Sequence, residues 1–118
     1  MTEIWKDIKD YEGLYQVSDL GRIKRLPKQI LRSNGIKQTF KERQLALSHD
    51  KYGYIQISLS HEGLIVKKKA HRLVVESFIR EMPVNMEVNH INGIKDDNRL
   101  VNLEIVTKSE NAIHSNRS

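Results

Sequence analysis

The last third of the chain places histidine and asparagine side chains in an order that can support hydrolysis. Asn89 and His90 are adjacent, Asn102 follows twelve residues after the histidine, and Asn111 and His114 come near the end. A histidine titrates near neutral pH and can therefore take a proton from an attacking water. Amide oxygens can bind a hard divalent cation, which stabilises a crowded, negatively charged phosphorus centre. Phosphodiester hydrolysis is therefore a reaction that this set of residues can perform.

The hydrophobic pattern around these residues predicts a helix followed by a strand–loop–strand–helix unit. Apolar residues recur at helical spacing from Ala70 to Phe78 and indicate a short amphipathic helix. Residues 107–110 (TKSE) have the capping-box pattern, a hydroxyl followed three residues later by a carboxylate, so a last helix is predicted from about Lys108. Two short strands are predicted between these helices, over residues 86–91 and 103–106.

The first half of the chain alternates apolar and polar residues, which predicts antiparallel β-hairpins. Turn residues follow the first strand at 19–21 and the third at 61–63. Residues 28–44 are polar and show no sustained period, so a flexible basic loop with a turn at Asn34-Gly35 is expected there. The four strands are predicted over residues 13–18, 22–26, 52–60 and 64–69.

Composition limits the chain to one compact domain, or one core with an appended arm. The 118 residues include no cysteine, which excludes disulfides, thiolate nucleophiles, iron–sulfur clusters and cysteine-based zinc ribbons. Any zinc site is disfavoured, because the histidines also lack paired ligand spacing. No apolar run approaches the roughly 18 residues of a membrane span, and the first residues are not typical of a signal peptide.

Basic residues are concentrated in one stretch of the sequence. The net charge is +5, yet residues 20–50 alone carry eight basic and two acidic side chains, and residues 1–19 carry two basic and five acidic ones. A solvated surface loop is one interpretation, and a β-ribbon that contacts nucleic-acid phosphates is the other. Arg99 is equally consistent with a solvated arginine and with a phosphate contact. The candidate DNA-binding residues are Arg22, Lys24, Arg25, Lys28, Lys67, Lys68, Lys69 and Arg99.

Several strings of the sequence resemble the phage-type branch of the HNH nuclease family. Residues 88–93 (VNHING), 97–107 (DNRLVNLEIVT) and 110–111 (EN) carry this resemblance, and residues 70–79 (AHRLVVESFI) match the helix that usually precedes them. Near the start, residues 4–8 (IWKDI), 11–18 (YEGLYQVS) and 21–23 (GRI) resemble the small module that often comes before these nucleases. The resemblance implies an α+β fold: N-terminal antiparallel β-hairpins, a helix, then a ββα-metal (His-Me) finger. It divides the chain into a basic β-hairpin DNA-binding module, residues 1–65, and an HNH nuclease domain, residues 66–118.

The resemblance also implies a role for each polar residue of the finger. His90 would be the general base, with its other ring nitrogen held by an acceptor that we expect to be a backbone carbonyl. Asn111 and Asn89 would bind Mg²⁺ or Mn²⁺, although related nucleases often have aspartate at the position of Asn89, so metal binding without DNA should be weak. Asn102 would tie the loop to the first strand and so fix His90, unless it is merely a turn residue. His114 would bind the metal, contact phosphate or cap the helix end.

The remaining histidines are expected to have no catalytic role. His71 opens the predicted helix and is interpreted as a packing or capping residue. His49 and His61 lie in predicted turns and are expected to be solvated. Only His90, Asn102 and Asn111 are therefore predicted to be catalytic.

The leading hypothesis is a metal-dependent endonuclease that acts on double-stranded DNA, without a membrane or a small-molecule cofactor. A monomer has one site and should nick one strand, whereas double-strand cleavage would need a homodimer or two successive events. Alternatives are a non-catalytic DNA-binding protein on the same scaffold, which only Asn89 favours, and a nuclease for RNA or branched DNA.

The resemblance also suggests a biological setting. We expect a phage-encoded protein acting in the cytoplasm of a bacterial host, with intron homing and genome packaging both open. Many relatives carry a C-terminal helix-turn-helix reader, but no sequence follows the predicted finger here. Low sequence specificity is therefore expected, unless such a part was removed.

Overall fold

The computed structural model describes residues 2–109. Within this range the chain forms eleven β-strands in four antiparallel sheets, together with the α-helix α1 (Ala70–Phe78), a 3-10 helix (Leu100–Asn102) and a helical start at residues 108–109. The expected α+β class is therefore confirmed. The strands are β1 (Trp5–Asp7), β2 (Tyr15–Ser18), β3 (Ile23–Arg25), β4 (Lys28–Leu31), β5 (Lys37–Phe40), β6 (Arg43–Gln44), β7 (Ser48–His49), β8 (Ile55–His61), β9 (Leu64–Lys69), β10 (Met86–His90) and β11 (Leu103–Thr107).

The first predicted hairpin is confirmed as the centre of a four-stranded sheet with the order β1-β2-β3-β6. Val17 pairs with Ile23 across β2 and β3, and both side chains are completely buried. The turn between these strands is closed by Ser18, whose Oγ accepts hydrogen bonds from the backbone N–H groups of Leu20 (3.2 Å) and Arg22 (3.1 Å). Alternation along the chain predicted β2 and β3, but not the edge strands β1 and β6.

The expectation of a flexible loop over residues 28–44 is wrong, because this segment contains the hairpin β4–β5 and the strand β6. Asn34 and Gly35 do form the predicted turn: Asn34 Oδ1 accepts a hydrogen bond from the Ile36 N–H (3.1 Å), and Gly35 has a φ of +84°. Every residue from 28 to 40 except Ile30 and Phe40 is exposed. Because neither face of the hairpin is buried, no apolar period of two marks its strands.

The second predicted hairpin is confirmed as β8–β9, which joins β7 in a three-stranded sheet. Ile55, Ile57 and Leu59 point into the core, as their alternation predicted. Helix α1 begins directly after β9 and buries Ala70, Leu73, Val74 and Val75. Helix α1 contacts strands of the four-stranded and three-stranded sheets and also β10 and β11, so the core lies around it.

The two strands predicted around the polar loop are confirmed as the antiparallel pair β10–β11. Across this pair His90 lies opposite Leu103, and Asn89 lies opposite Glu104. Residues 108 and 109 are helical, where the last helix was predicted to begin. The predicted site residues Asn111 and His114 lie outside the described residues.

Two further features concern the chain as a whole. The predicted division between residues 65 and 66 falls within β9, and it stays a prediction. In the part of the chain from residue 2 to residue 109, no helix is both long and apolar enough to cross a membrane.

Candidate active site

His90 lies at the end of β10 and is almost completely buried, with 6% of the residue exposed. Its Nε2 lies 2.8 Å from Oδ1 of Asn98, a residue in the loop that follows β10. The expected backbone carbonyl is therefore replaced by a side-chain amide oxygen. Because an amide oxygen only accepts hydrogen bonds, this contact favours the tautomer with the proton on Nε2, which leaves the lone pair on Nδ1.

Two other rings pack against the imidazole of His90. The ring centroid of His71 lies 5.2 Å away, that of Tyr54 lies 5.8 Å away, and the rings of His71 and Tyr54 are 5.3 Å apart. Burial, and after it the neighbouring His90, lower the pKa of His71 to about 4. His71 is therefore uncharged at neutral pH, in contact with the ring that is predicted to act as a base.

The structure confirms that His71 is a packing residue, half-buried against the rings of Tyr54 and His90, but it also places the residue in the candidate site. Its Nδ1 is buried and has no hydrogen-bond partner within the described residues. A titratable residue at helical spacing from the buried Val74 and Val75 was the available sequence signal. That signal indicates burial, but it does not reveal that the His71 ring contacts the ring of His90.

The loop between β10 and β11 is held by hydrogen bonds among its own polar groups. Asn102 Oδ1 accepts from the backbone N–H of Asn92 (3.0 Å), while Asn102 Nδ2 donates to Asn92 Oδ1 (3.0 Å) and to the carbonyl of Asp97 (2.9 Å). Arg99 donates two hydrogen bonds to the Asp97 carboxylate, each 2.8 Å long, and holds the pKa of Asp97 well below its usual range. Asn102 thus joins both ends of the loop, and its predicted role in fixing His90 stays a prediction.

Asn89 is buried beside a carboxylate that the sequence pattern did not single out. Its Nδ2 donates a 2.8 Å hydrogen bond to Oε1 of Glu104, directly across the β10–β11 pair. The described residues contain no group of three or more histidine, cysteine, aspartate or glutamate side chains that could hold a metal ion. An amide oxygen next to a carboxylate is nevertheless a donor set that suits Mg²⁺ or Mn²⁺, with water and substrate oxygens as further ligands.

Two of the predicted DNA-binding residues on the N-terminal sheet are already engaged with acidic partners. Arg22 forms an ion pair and a hydrogen bond with Glu3. Lys24 lies 3.0 Å from a carboxylate oxygen of Glu42, and its ammonium group is 4.3 Å from the centre of the Trp5 ring. A phosphate group would have to compete with these carboxylates for the two basic residues.

Two other predicted DNA-binding residues, Arg25 and Lys28, lie around the ring of Phe40, where the β4–β5 hairpin begins. The guanidinium of Arg25 and the ammonium of Lys28 lie 5.6 Å and 5.4 Å from the centre of the Phe40 ring. Lys28 is exposed and has no ion pair within the described residues. The hairpin therefore begins with positive charge near its apolar ring.

The lysine run at the end of β9 lines a surface groove beside α1. The groove has a volume of about 370 Å³ and is lined by Lys67, Lys68, Lys69 and Arg72, together with Leu73 and Glu76. Lys69 also pairs with Asp50 and holds the pKa of that carboxyl at about 2. A neighbouring cavity of about 360 Å³ shares Lys69 and Arg72 with the groove and reaches Tyr54 and His71. The groove therefore continues towards the rings that surround His90, with Lys69 beside Asp50 and Arg72 beside Glu76 where the groove and the cavity join.

The two remaining histidines are exposed, as predicted. His49 lies 3.3 Å from a carboxylate oxygen of Asp96, and His61 lies 3.6 Å from one of Glu62. Neither ring is among those that contact His90.

The geometry and the sequence agree on the class of protein. Residues 3–60 match the NUMOD4 motif, and residues 68–113 match the HNH endonuclease family. The chain therefore carries an HNH endonuclease domain with a NUMOD4 motif ahead of it.

Two of the relatives come from a virus and from a bacteriophage. An uncharacterized HNH endonuclease, L247 of Acanthamoeba polyphaga mimivirus, is 37% identical over 97% of this chain and 26% of its own length. The DNA endonuclease I-HmuI of Bacillus phage SP01 is 36% identical over 91% of this chain and 54% of its own length.

A solved structure describing DNA binding and cleavage by the HNH homing endonuclease I-HmuI is similar to this fold. The TM-score is 0.78 at 32% sequence identity, and the match covers 97% of this chain and 58% of that one. The chain spans between about a fifth and about half the length of the curated relatives that it matches.

Proposed function

We propose that this chain is a metal-dependent DNA endonuclease that hydrolyses phosphodiester bonds with His90 as the general base. The observation that supports this most is the state of the His90 ring. It is buried at the end of a strand, and its Nε2 lies against an amide oxygen, a contact that would leave the lone pair on Nδ1. Such an imidazole is oriented before substrate arrives, which is what proton transfer in a transition state requires.

The proposed reaction begins when Nδ1 of His90 accepts a proton from a water molecule that attacks the phosphorus. Asn89 and Asn111 would hold a divalent ion, and Glu104 would add negative charge next to Asn89. That ion, when bound, would stabilise charge on the phosphate and on the leaving 3′ oxygen. Asn102 would keep the loop closed on the end of β10, and His114 would contact the metal or a phosphate.

The proposed substrate is double-stranded DNA, held along the basic groove and by the β4–β5 hairpin. A groove lined by three lysines and an arginine suits a phosphate backbone, and a two-stranded ribbon has the width of a DNA groove. I-HmuI, a relative over most of this chain, is named as a DNA endonuclease. Its phage origin and the viral origin of L247 support a protein that acts inside an infected host cell.

We further propose that one chain makes one nick. The residues around His90 form a single candidate site, so a monomer would cut one strand at each binding event. A homodimer would be needed to cut both strands together.

The test is cleavage of supercoiled plasmid with Mg²⁺ and with EDTA, followed by gel electrophoresis. We expect relaxed circles before linear product with Mg²⁺, and intact plasmid with EDTA. His90→Ala should lower the rate by about 10²–10⁴-fold, the contribution of a positioned general base, while plasmid binding is retained. His61→Ala, which replaces an exposed histidine, is the matched control and should cleave at the wild-type rate.

The same assay separates the proposed nuclease from a DNA-binding protein without catalysis. That second function is favoured by one observation, the presence of an uncharged Asn89 where related nucleases often have an acidic ligand. Plasmid that is shifted on the gel but stays intact with Mg²⁺ would establish the binding protein. Equal cleavage by wild type and His90→Ala would remove His90 from the mechanism.

A further inference from the structure

Asn98 is the direct hydrogen-bond partner of His90, although it reads in the sequence as an ordinary loop residue. It is 4% exposed, and its Oδ1 lies 2.8 Å from Nε2 of His90. The three hydrogen bonds of the Asn102 side chain go to Asn92 and Asp97 instead. Contact with the imidazole is therefore made by Asn98, whereas Asn102 acts on the loop that carries it.

Asn98 is in turn covered by the turn between β2 and β3, far away in the sequence. Gly21 of this turn has a φ of +84°, and a Cβ added to it would lie 2.8 Å from Cβ and 2.9 Å from the carbonyl oxygen of Asn98. Such distances are too short for any Cβ, so residue 98 can keep its place only opposite a glycine. A second contact joins the same two segments, since the Leu100 N–H donates a 2.8 Å hydrogen bond to the carbonyl of Asp19.

The turn itself is held rigidly on the N-terminal sheet. Asp19 exchanges two backbone-directed hydrogen bonds with Ile4: its N–H donates to the Ile4 carbonyl (3.0 Å), and its Oδ1 accepts from the Ile4 N–H (3.0 Å). The Ser18 hydroxyl closes the other side of the turn. Because these hydrogen bonds hold the turn in one conformation, it can position the β10–β11 loop that packs against it.

We propose that this turn is a part of the active site: through Gly21 it positions Asn98, and Asn98 positions the imidazole of His90. The inference rests on the proposed role of His90 as the base, and it adds two positioning residues. The N-terminal module then has a second task besides contact with DNA. It supplies the turn against which Asn98 packs, so the HNH domain depends on the N-terminal module to position His90.

The first test removes the acceptor oxygen from residue 98. Asn98→Ala should lower the single-turnover cleavage rate by about 10–100-fold, the usual cost of losing a partner that orients a functional histidine, with DNA affinity unchanged. Asn98→Asp keeps an oxygen near Nε2 and should recover much of this loss. In spectra of ¹⁵N-histidine-labelled protein, the wild-type His90 should be the Nε2–H tautomer, and this signature should weaken in the alanine variant.

The second test compares two glycines with the same backbone conformation. Gly13 has a φ of +77° and nothing within 4 Å of an added Cβ, so Gly13→Ala carries the backbone strain of Gly21→Ala without its clash. Gly21→Ala should cleave at least about 10-fold more slowly than Gly13→Ala, at equal DNA affinity. Asp19→Ala, which loosens the turn by removing the hydrogen bond to Ile4, supplies a milder variant if Gly21→Ala does not fold, and should also slow cleavage.

The outcomes distinguish this inference from the proposed function. If His90→Ala cleaves normally, the role of the base is wrong, whatever the other variants do. If His90→Ala is inactive while Asn98→Ala and Asp19→Ala cleave at the wild-type rate, the positioning roles are overturned and the base remains. If Gly21→Ala folds and matches Gly13→Ala, the turn has no part in the site.

Discussion

Two polar segments of the chain, the β4–β5 hairpin and the loop between β10 and β11, use their polar side chains in opposite ways. In the hairpin nearly every side chain faces water. At the loop and the strand end before it, Asn89, His90, Asn98 and Asn102 are buried, and each has a hydrogen-bond partner. Burial requires such partners, because a buried polar group without one costs free energy. The hairpin can thus adapt to a ligand surface, whereas the loop is fixed before any ligand arrives.

The largest expected difference between the two segments is in the free energy of unfolding that is lost when one asparagine is replaced by alanine. Asn102→Ala deletes three side-chain hydrogen bonds and should lower the free energy of unfolding by about 2–3 kcal/mol. Asn34→Ala deletes one exposed bond in the hairpin turn and should cost about 1 kcal/mol or less. Urea denaturation of both variants measures the difference, and equal losses would contradict the contrast between a fixed and an adaptable segment.

A smaller effect on stability is expected for His71, which lies beside His90 and whose Nδ1 has no hydrogen-bond partner within the described residues. The folded-state pKa of His71 is lowered to about 4 by burial, so an unfolded chain binds its proton first, near pH 6.5. Its stabilising effect is therefore complete above about pH 6.5 and is lost as the pH falls towards 4. His71→Phe should reduce the loss of stability between pH 7.5 and pH 5 by about 1–2 kcal/mol.

Urea unfolding of His71→Phe and wild type at both pH values gives this difference directly. His61→Phe replaces an exposed histidine and is the matched control, with little change expected. The same pH dependence in His71→Phe and wild type would mean that the buried ring is not protonated on unfolding.

The smallest effect is expected for the exposed charges that are proposed to meet DNA. Replacing both Lys67 and Lys68 by glutamine removes two cations from the groove and should lower the slope of log affinity against log salt by about 2. The free energy of unfolding should change by less than about 0.5 kcal/mol, because both side chains are exposed. Lys9→Gln, at an exposed ion pair with Glu81, is the control for charge alone. An unchanged slope in the double variant would exclude the groove as a phosphate contact.

The sequence was sufficient to predict the elements whose side chains alternate between core and water. The strands β2, β3 and β8 and the helix α1 bury apolar side chains at a regular spacing, so their period is visible. Strand β9 has no buried residue and was predicted from the turn that joins it to β8. The β4–β5 hairpin has no buried face, and its polar strands look the same as a loop. The edge strands β1 and β6 are too short for a period to show.

The candidate site was predictable in its spacing but not in its contacts. The order of His90, Asn102 and Asn111 in the sequence indicated the family. The contact between Asn98 and His90 depends on how a polar loop folds back, and the contact with Gly21 depends on the packing of two segments far apart in the chain. Neither contact leaves a periodic pattern in the sequence, because each contact is formed by a single pair of residues.

The absence of a linker between β9 and α1 has a mechanical consequence. The strand ends at Lys69 and the helix starts at Ala70, so the groove lysines and the histidine at the helix start share one continuous stretch of backbone. The helix is anchored by Leu73, Val74 and Val75, which are buried in the core. If the groove binds a phosphate as proposed, Lys67 and Lys68 would hold it a few residues of rigid backbone away from His71. The junction between β9 and α1 would then limit how far the proposed binding groove and the proposed reaction site can move relative to each other.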